Sequence, residues 1–187
     1  GAVQKFKVGD IVGVGCMIDS CGKCESCQEG EEQYCEGPKG WTATYNGPMK
    51  PDGTNTYGGY SVNIVVKEDF VLRIPDAIDA KKAAPILCAG ITTYSPLKHW
   101  KVKRGDKVAV VGLGGLGHMG VQLGKAMGAE VTVITTTEER RSAAIELGAN
   151  SVILSESKEE MKKAELSFHF ILITIPDPFD INPYVSL

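Results

Sequence analysis

Residues 107–135 read KVAVVGLGGLGHMGVQLGKAMGAEVTVIT, and few arrangements of a chain accommodate them. A short β-branched run, Lys107 to Val111, leads without a spacer into G-x-G-x-x-G, and the glycines open a helical stretch. That is the strand–turn–helix context the motif requires. Gly112 can make the tight turn, Gly114 lets backbone approach a pyrophosphate, and Gly117 lets helix and strand pack closely. The start of the helix offers free N–H groups and partial positive charge to phosphates. Gly112, Leu113, Gly114, Gly115, Leu116 and Gly117 are therefore candidate dinucleotide contacts. The competing reading is a glycine-rich turn in a sheet that binds no nucleotide.

Beyond the loop, strand and helix patterns alternate. GHMGVQLGKAMG carries Leu116, Met119, Gly120, Leu123, Ala126 and Met127 at three-and-four spacing, which predicts one buried face. EVTVIT, SVILS and FHFILIT read as strands, and EERRSAAIELG and ESKEEMKKAE as helices. This alternation predicts right-handed βαβ units and a parallel sheet. Before about Ala84 the pattern differs: KVGDIVGVG, GGYSVNIVV and DFVLRIP are short β-branched runs broken by Gly, Asp and Pro. Thr44 to Gly59 is a long loop rich in Gly, Pro and Asn. APILCAGITTYSPLKHW reads as helical, with Pro96 starting, bending or ending a helix. The expected fold class is α/β, with a β-rich domain over residues 1–87 and a doubly wound parallel-sheet domain over residues 88–187. FHFILITIPD reads as a buried strand with only one short segment after it, the pattern of a piece of a longer protein.

Four of the six cysteines, Cys21, Cys24, Cys27 and Cys35, fall within fifteen residues as C-x2-C-x2-C-x7-C. A disulfide set suits a small secreted domain, and nothing here points to export. A bacterial iron–sulfur run would place its fourth Cys sooner and follow it with Pro, whereas Glu36 follows here. A zinc ribbon would separate two C-x2-C pairs by about 15–20 residues. A tetrahedral zinc site fits: the short spacers turn successive thiolates toward one ion, and the longer arm closes the fourth corner. With all four positions filled by protein, such a site is structural. Cys88 is a separate question. A lone Cys in an apolar segment is usually a small buried hydrophobe, but near a helix start its thiolate is favoured, which suits a metal ligand. Spacing does not decide between them.

The end of the second predicted strand bears on cofactor choice. An NAD site usually carries Asp or Glu about 20 residues after the loop, to hold the ribose 2′-hydroxyl. Here the stretch is Thr135, Thr136, Thr137. Three hydroxyls can donate to a 2′-phosphate, and Arg140 or Arg141 can pair with it, so NADP(H) is expected over NAD(H). In the alternative, Glu138 or Glu139 folds back onto the ribose and the arginines face solvent.

Composition excludes other classes. Lys plus Arg number 20 against 23 Asp plus Glu, with no basic block, so nucleic acid is not an expected partner. No apolar run reaches the roughly 18–20 residues that span a bilayer. GAVQKFKVGD lacks the basic start and apolar stretch of a signal peptide. The expected setting is cytoplasmic, with no membrane partner.

KFKVGDIVGVG, the four-cysteine cluster, GGYS, LCAGITTYSPL, GLGGLGHMGVQLGKAMGAEVTVIT and FILITIPD together resemble the zinc-dependent medium-chain alcohol dehydrogenases, specifically the cinnamyl-alcohol-dehydrogenase-like aldehyde reductases. The resemblance runs in order along essentially the whole chain. It implies a GroES-like catalytic domain followed by a Rossmann domain, both partial here, with one structural and one catalytic zinc. It also implies NADP(H)-linked interconversion of primary alcohols and aldehydes, and a homodimer. By match, Cys88 resembles a ligand of the catalytic zinc, and Thr92, the glycine loop, Thr135 to Thr137, Arg140 and Thr174 resemble cofactor contacts. Cys16 matches no ligand and is expected in the core. The family's other catalytic ligands, a Cys and the His of a Gly-His-Glu motif, have no counterpart in these residues, and His99, His118 and His169 are expected to be non-ligands. No catalytic residue is assigned, and the 187 residues alone are expected to be inactive. A non-catalytic, zinc-stabilised nucleotide-binding module is the alternative.

Overall fold

The computed structural model describes residues 3–38, 40–45 and 55–187. It divides into two compact units, Gly1–Cys88 and Ala89–Leu187. Most of the long loop expected over 44–59 lies outside the described residues.

The first unit is built from short pieces. β1 (Val12–Val14) pairs antiparallel with β4 (Val71–Arg73), Val14 opposite Val71. β2 (Met17–Asp19) pairs antiparallel with β3 (Thr42–Ala43), with an irregularity between Met17 and Asp19. Between them lies α1 (Glu25–Gln28), and α2 (Ala80–Ala83) closes the unit with Asp79 accepting from the Lys81 N–H at 3.0 Å. Thr44 Oγ1 and Thr56 Oγ1 donate to the carbonyls of Gly15 and Ala43 at 2.5 and 2.7 Å, so side chains complete what short ladders leave open. GGYSVNIVV departs from its expected strand: Gly58–Tyr60 is a single 3-10 turn, and Val62 and Val65 are exposed. β-propensity reflects fit against neighbouring strands, and no described strand pairs with this segment.

The second unit holds a four-stranded parallel sheet in the order β7-β6-β5-β8. Its elements are α3 (Ala89–His99), β5 (Lys107–Val111), α4 (Gly115–Ala126), β6 (Glu130–Thr135), α5 (Arg140–Glu146), β7 (Ser151–Leu154), α6 (Lys158–Lys163), β8 (Phe170–Ile173) and α7 (Asn182–Val185). The strands are apolar runs because both sheet faces are covered. Val108, Val110, Val131 and Val133 face one cluster with Val121 of α4 and Ala144 of α5, while Ala109, Val111 and Ile134 face another with Met161 of α6. Pro96 sits inside α3, which continues past it to His99.

One expectation about α4 is corrected. Its buried stripe is Gly117, Gly120, Val121 and Gly124, while Ala126 is exposed. A Cβ on Gly120 would stand 2.9 Å from Leu172 Cδ2, and one on Gly124 would stand 3.0 Å from Val131 Cγ2. The helix lies so close to the sheet that its smallest residues make the contact, and Leu123 and Met127 pack at the margin.

Candidate metal centre and dinucleotide site

In the first unit the sulfurs of Cys21, Cys24, Cys27 and Cys35 all lie within 4.8 Å of one another. A tetrahedral zinc with Zn–S near 2.3 Å needs sulfurs about 3.8 Å apart, and Cys21 and Cys27 are separated by 3.9 Å. Local chain geometry brings them together: Cys24 caps α1, which carries Cys27, and Cys35 follows the 3-10 turn Glu32–Tyr34. The sulfurs are ringed by backbone donors. Lys23 and Cys24 N–H point at Cys21 Sγ at 3.4 and 3.3 Å, Glu36 N–H at Cys24 Sγ at 3.4 Å, and Cys21 N–H at Cys35 Sγ at 3.4 Å. Such donors favour thiolates.

The thiols are moved in opposite directions. The N–H groups of Lys23 and Cys24 hold Cys21 down to about 6. Cys24 is lowered by the backbone of Cys27 and then of Glu36. At Cys27 the Ser20 hydroxyl, 3.5 Å away, pulls the thiol down, but desolvation and the neighbouring Cys24 and Cys35 sulfurs outweigh it and push it up to about 11. Four thiolates this close cannot all ionise by themselves, and a divalent cation removes that conflict. The donor set therefore fits zinc. Lys67 anchors the base of the cluster, donating to the Ser20 carbonyl at 3.1 Å and pairing with Asp19.

Cys88 is not part of this cluster. It follows the 3-10 turn Ala84–Leu87 and is exposed, so it is not a buried hydrophobe. Cys16, expected in the core, is exposed as well. Its thiol is raised, first by partial desolvation and then by the Cys88 sulfur beside it. The pairing arises because the Gly13–Cys16 segment runs along Leu87: a Cβ on Gly15 would stand 3.8 Å from the Leu87 carbonyl oxygen. Among the described residues no second group of three or more potential ligands forms. His99 stacks edge-on to Trp100, and His169 Nδ1 accepts from the Lys107 N–H at 2.9 Å.

In the second unit the glycine loop sits at the carboxyl end of β5, where parallel sheets bind ligands. Gly112 has φ +91°, and its N–H donates to the Ile134 carbonyl at 2.9 Å, tying the loop to the end of β6. A Cβ on Gly117 would stand 2.1 Å from the Gly112 oxygen, so no larger residue fits there. On the outer side, the positions a Cβ would take at Gly114 and Gly115 are open. Leu113 is buried and Leu116 half-buried. Thr174 Oγ1 donates to the carbonyl of Val111 at 2.9 Å and lies 3.4 Å from that of Gly112.

The end of β6 sorts its polar residues. Thr135 is buried, and its Oγ1 has no hydrogen-bond partner and no exposure, so a ligand reaches it only after the side chain turns. Thr136, Thr137 and Arg140 are exposed. Glu138 accepts from Arg141 Nε at 2.7 Å, while Arg141 NH1 donates to the Val152 carbonyl at 2.8 Å. Arg141 and Glu138 thus engage each other, and the Arg140 side chain makes no hydrogen bond or ion pair among the described residues. The Glu138–Arg141 pair at i, i+3 was open to sequence reasoning, which weighed the two arginines equally. Thr92 is exposed on α3, a helix packed against α4. A cavity of about 420 Å³ is lined by Lys107, Glu130 and Ser151, the first residues of β5, β6 and β7, and so lies at the opposite strand ends from the loop.

A four-thiol metal centre together with a glycine loop on a parallel sheet defines a metal-binding, dinucleotide-dependent class of protein. Two family models match in chain order: an alcohol dehydrogenase GroES-like domain over residues 1–76 and a zinc-binding dehydrogenase domain over residues 115–187. The chain belongs to the zinc-binding alcohol dehydrogenase family. It is 51% identical over 185 residues to NADP-dependent alcohol dehydrogenase C 1 of Mycolicibacterium smegmatis, covering 99% of this chain and 52% of the relative. It is 50% identical over 186 residues to the aldehyde reductase YahK of Escherichia coli, with 99% and 52% covered. Among solved structures, a cinnamyl alcohol dehydrogenase from Sorghum bicolor matches with a TM-score of 0.92 at 42% identity, over 98% of this chain and 52% of that one. A Helicobacter pylori cinnamyl alcohol dehydrogenase complexed with NADP(H) matches at 0.87 and 43%, over 97% and 50%. The chain spans about half the length of these relatives.

Proposed function

We propose that the whole protein is a zinc-dependent oxidoreductase interconverting primary alcohols and aldehydes with NADP(H). The observation that carries the cofactor choice is the end of β6: Glu138 is taken up by Arg141, leaving Thr136, Thr137 and the unpaired Arg140 exposed around the space a 2′-phosphate needs. A carboxylate reaching for a ribose 2′-hydroxyl would have to break that ion pair. The relatives, an NADP-dependent alcohol dehydrogenase and an aldehyde reductase, support the same reading.

In this reading residues 1–87 form the catalytic lobe and residues 88–187 the dinucleotide lobe. Cys21, Cys24, Cys27 and Cys35 hold a structural zinc. Cys88, exposed and apart from that cluster, supplies one ligand to a catalytic zinc. The loop from Gly112 to Gly117 receives the diphosphate, with Thr92 and Thr174 beside the cofactor. When bound, zinc acts as a Lewis acid on a carbonyl oxygen and NADPH supplies hydride; this chain's own residues hold and orient them. Six free cysteines suit the reducing cytoplasm, and no described helix is long and apolar enough to cross a membrane. A homodimer follows from family resemblance.

The test is aldehyde-dependent oxidation of NADPH by the full-length protein, with aromatic and aliphatic aldehydes compared. Turnover with NADPH in preference to NADH, lost on chelation and restored by zinc, is expected. Absence of turnover with every aldehyde in the zinc-loaded protein would sink the proposal.

A further inference from the structure

His118 stands on the first turn of α4, four residues after Gly114, and its ring is turned back onto the loop. Its Nδ1 lies 2.7 Å from the Gly114 carbonyl oxygen, and its backbone N–H donates to the same oxygen at 2.9 Å. A carbonyl only accepts, so Nδ1 carries the proton and Nε2 is left outward. Both lone pairs of that oxygen are thereby occupied. Thr174 does the corresponding work one turn of backbone earlier, donating to Val111 and lying near the Gly112 carbonyl. His118 thus engages a carbonyl of the glycine motif and Thr174 that of the residue just before it, while the Cβ positions of Gly114 and Gly115 stay open. The direction matters, because a peptide whose carbonyl swings outward presents oxygen to an anion and withdraws the N–H groups that bind it.

We propose that His118 is a positioning residue of the glycine loop, pinning the Gly114 carbonyl so that the loop amides stay aimed at the diphosphate of a dinucleotide. The inference rests on the NADP(H) reading above and adds a residue to it. His118 touches no phosphate itself and acts through the loop.

The test is calorimetric binding of NADP+ and of 2′-AMP to the full-length protein, as wild type, His118→Ala and His118→Asn. 2′-AMP reaches the Thr136, Thr137 and Arg140 end but not the loop. One exposed hydrogen bond to a neutral acceptor corresponds to about a three- to tenfold change in affinity. His118→Ala should weaken NADP+ by that factor and leave 2′-AMP unchanged. His118→Asn places an amide N–H where Nδ1 was, and should recover NADP+ binding. Unchanged NADP+ affinity in His118→Ala overturns the inference, as does equal loss of both ligands or failure of Asn to recover what Ala loses. A wild-type protein that binds neither ligand would instead sink the cofactor reading, and this inference with it.

Discussion

Val108, Val110, Val131 and Val133 in the second unit have no solvent exposure, whereas Val8, Val62 and Val65 in the first are 82% exposed or more. The same residue type is core in one unit and surface in the other. The second unit has a sheet covered on both faces, with α4 and α5 on one side and α6 on the other. Among the described residues the first has two-stranded ladders, and four of its thiols gather within 4.8 Å of one another. Apolar burial therefore stabilises the second unit, while under the proposed function the first draws on a metal cross-link, the usual device where a core is small.

The metal is the first means of telling the two units apart. Removing zinc, or substituting Cys35→Ser, should cost the first unit a large part of the about 10–16 kcal/mol apparent stabilisation that a structural zinc provides at neutral pH. Hydrogen exchange should show the amides of β1 to β4 losing protection while β5 to β8 keep theirs. Protection that survives chelation in the first unit would mean its short ladders hold without the cross-link. The converse change is Ile134→Ala, which empties a fully buried site between β6 and α6. It should destabilise the second unit by about 2–5 kcal/mol, read as a lower denaturant midpoint, with zinc content unchanged.

The two units also differ in how far sequence reading reaches. β5 and β6 are legible because an apolar run of five or six residues ending in Gly or Thr admits few alternatives when helices follow on both sides. GGYSVNIVV was not, since the same β-branched residues make a strand only where a neighbour accepts their hydrogen bonds. The expected face of α4 shares Gly120 with the observed one but lacks Gly117, Val121 and Gly124, because the sheet lies close enough to demand small residues there. The cysteine knuckle is local, and its fifteen residues contain what is needed to see it. The approach of Cys16 to Cys88 joins positions far apart in the chain, and no spacing rule reports it. His118 lay within reach, since a donor four residues after a loop carbonyl can bond back to it.

A finer test of the knuckle concerns how closely its arm must close. A Cβ on Gly37 would stand 2.5 Å from Cys21 Cβ and 2.9 Å from its Sγ. Cys21 Cβ is fixed by the backbone and cannot swing aside. Gly37→Ala should push the Cys35 arm off the cluster and weaken zinc by about 10- to 100-fold, the range seen when outer-shell support of a metal ligand is lost. Competition against a chromophoric chelator measures it. Unaltered affinity would mean that the arm has slack that the contact distances do not suggest.

The smallest effect separates the units by acid. Asp10 is held below the usual carboxylate range by the Lys7 N–H and then by Arg73, which lies 3.1 Å away. Glu68 is lowered by the N–H groups of Lys5 and Gln4, and Asp69 by the Lys5 ammonium. All three lie in the first unit and stitch its N-terminal segment to the stretch around β4. A carboxylate whose folded pKa is depressed contributes stability that is complete above its unfolded pKa, and loses it as pH falls through the folded value. Zinc release by thiol protonation acts in the same direction, so the zinc-loaded protein is compared with its Glu68→Gln variant, which keeps the four thiols and lacks this carboxylate. In the wild type, acidification below about pH 4 should open the segment around Gln4, Lys5 and Glu68 before β5 and β6, with a modest effect that shrinks in the variant and that added salt reduces, because the Lys5–Asp69 pair is exposed. Site-resolved exchange against pH at two salt concentrations reads both features. Simultaneous opening of the two units, insensitive to salt, would mean that surface carboxylates play no part in holding the first unit together.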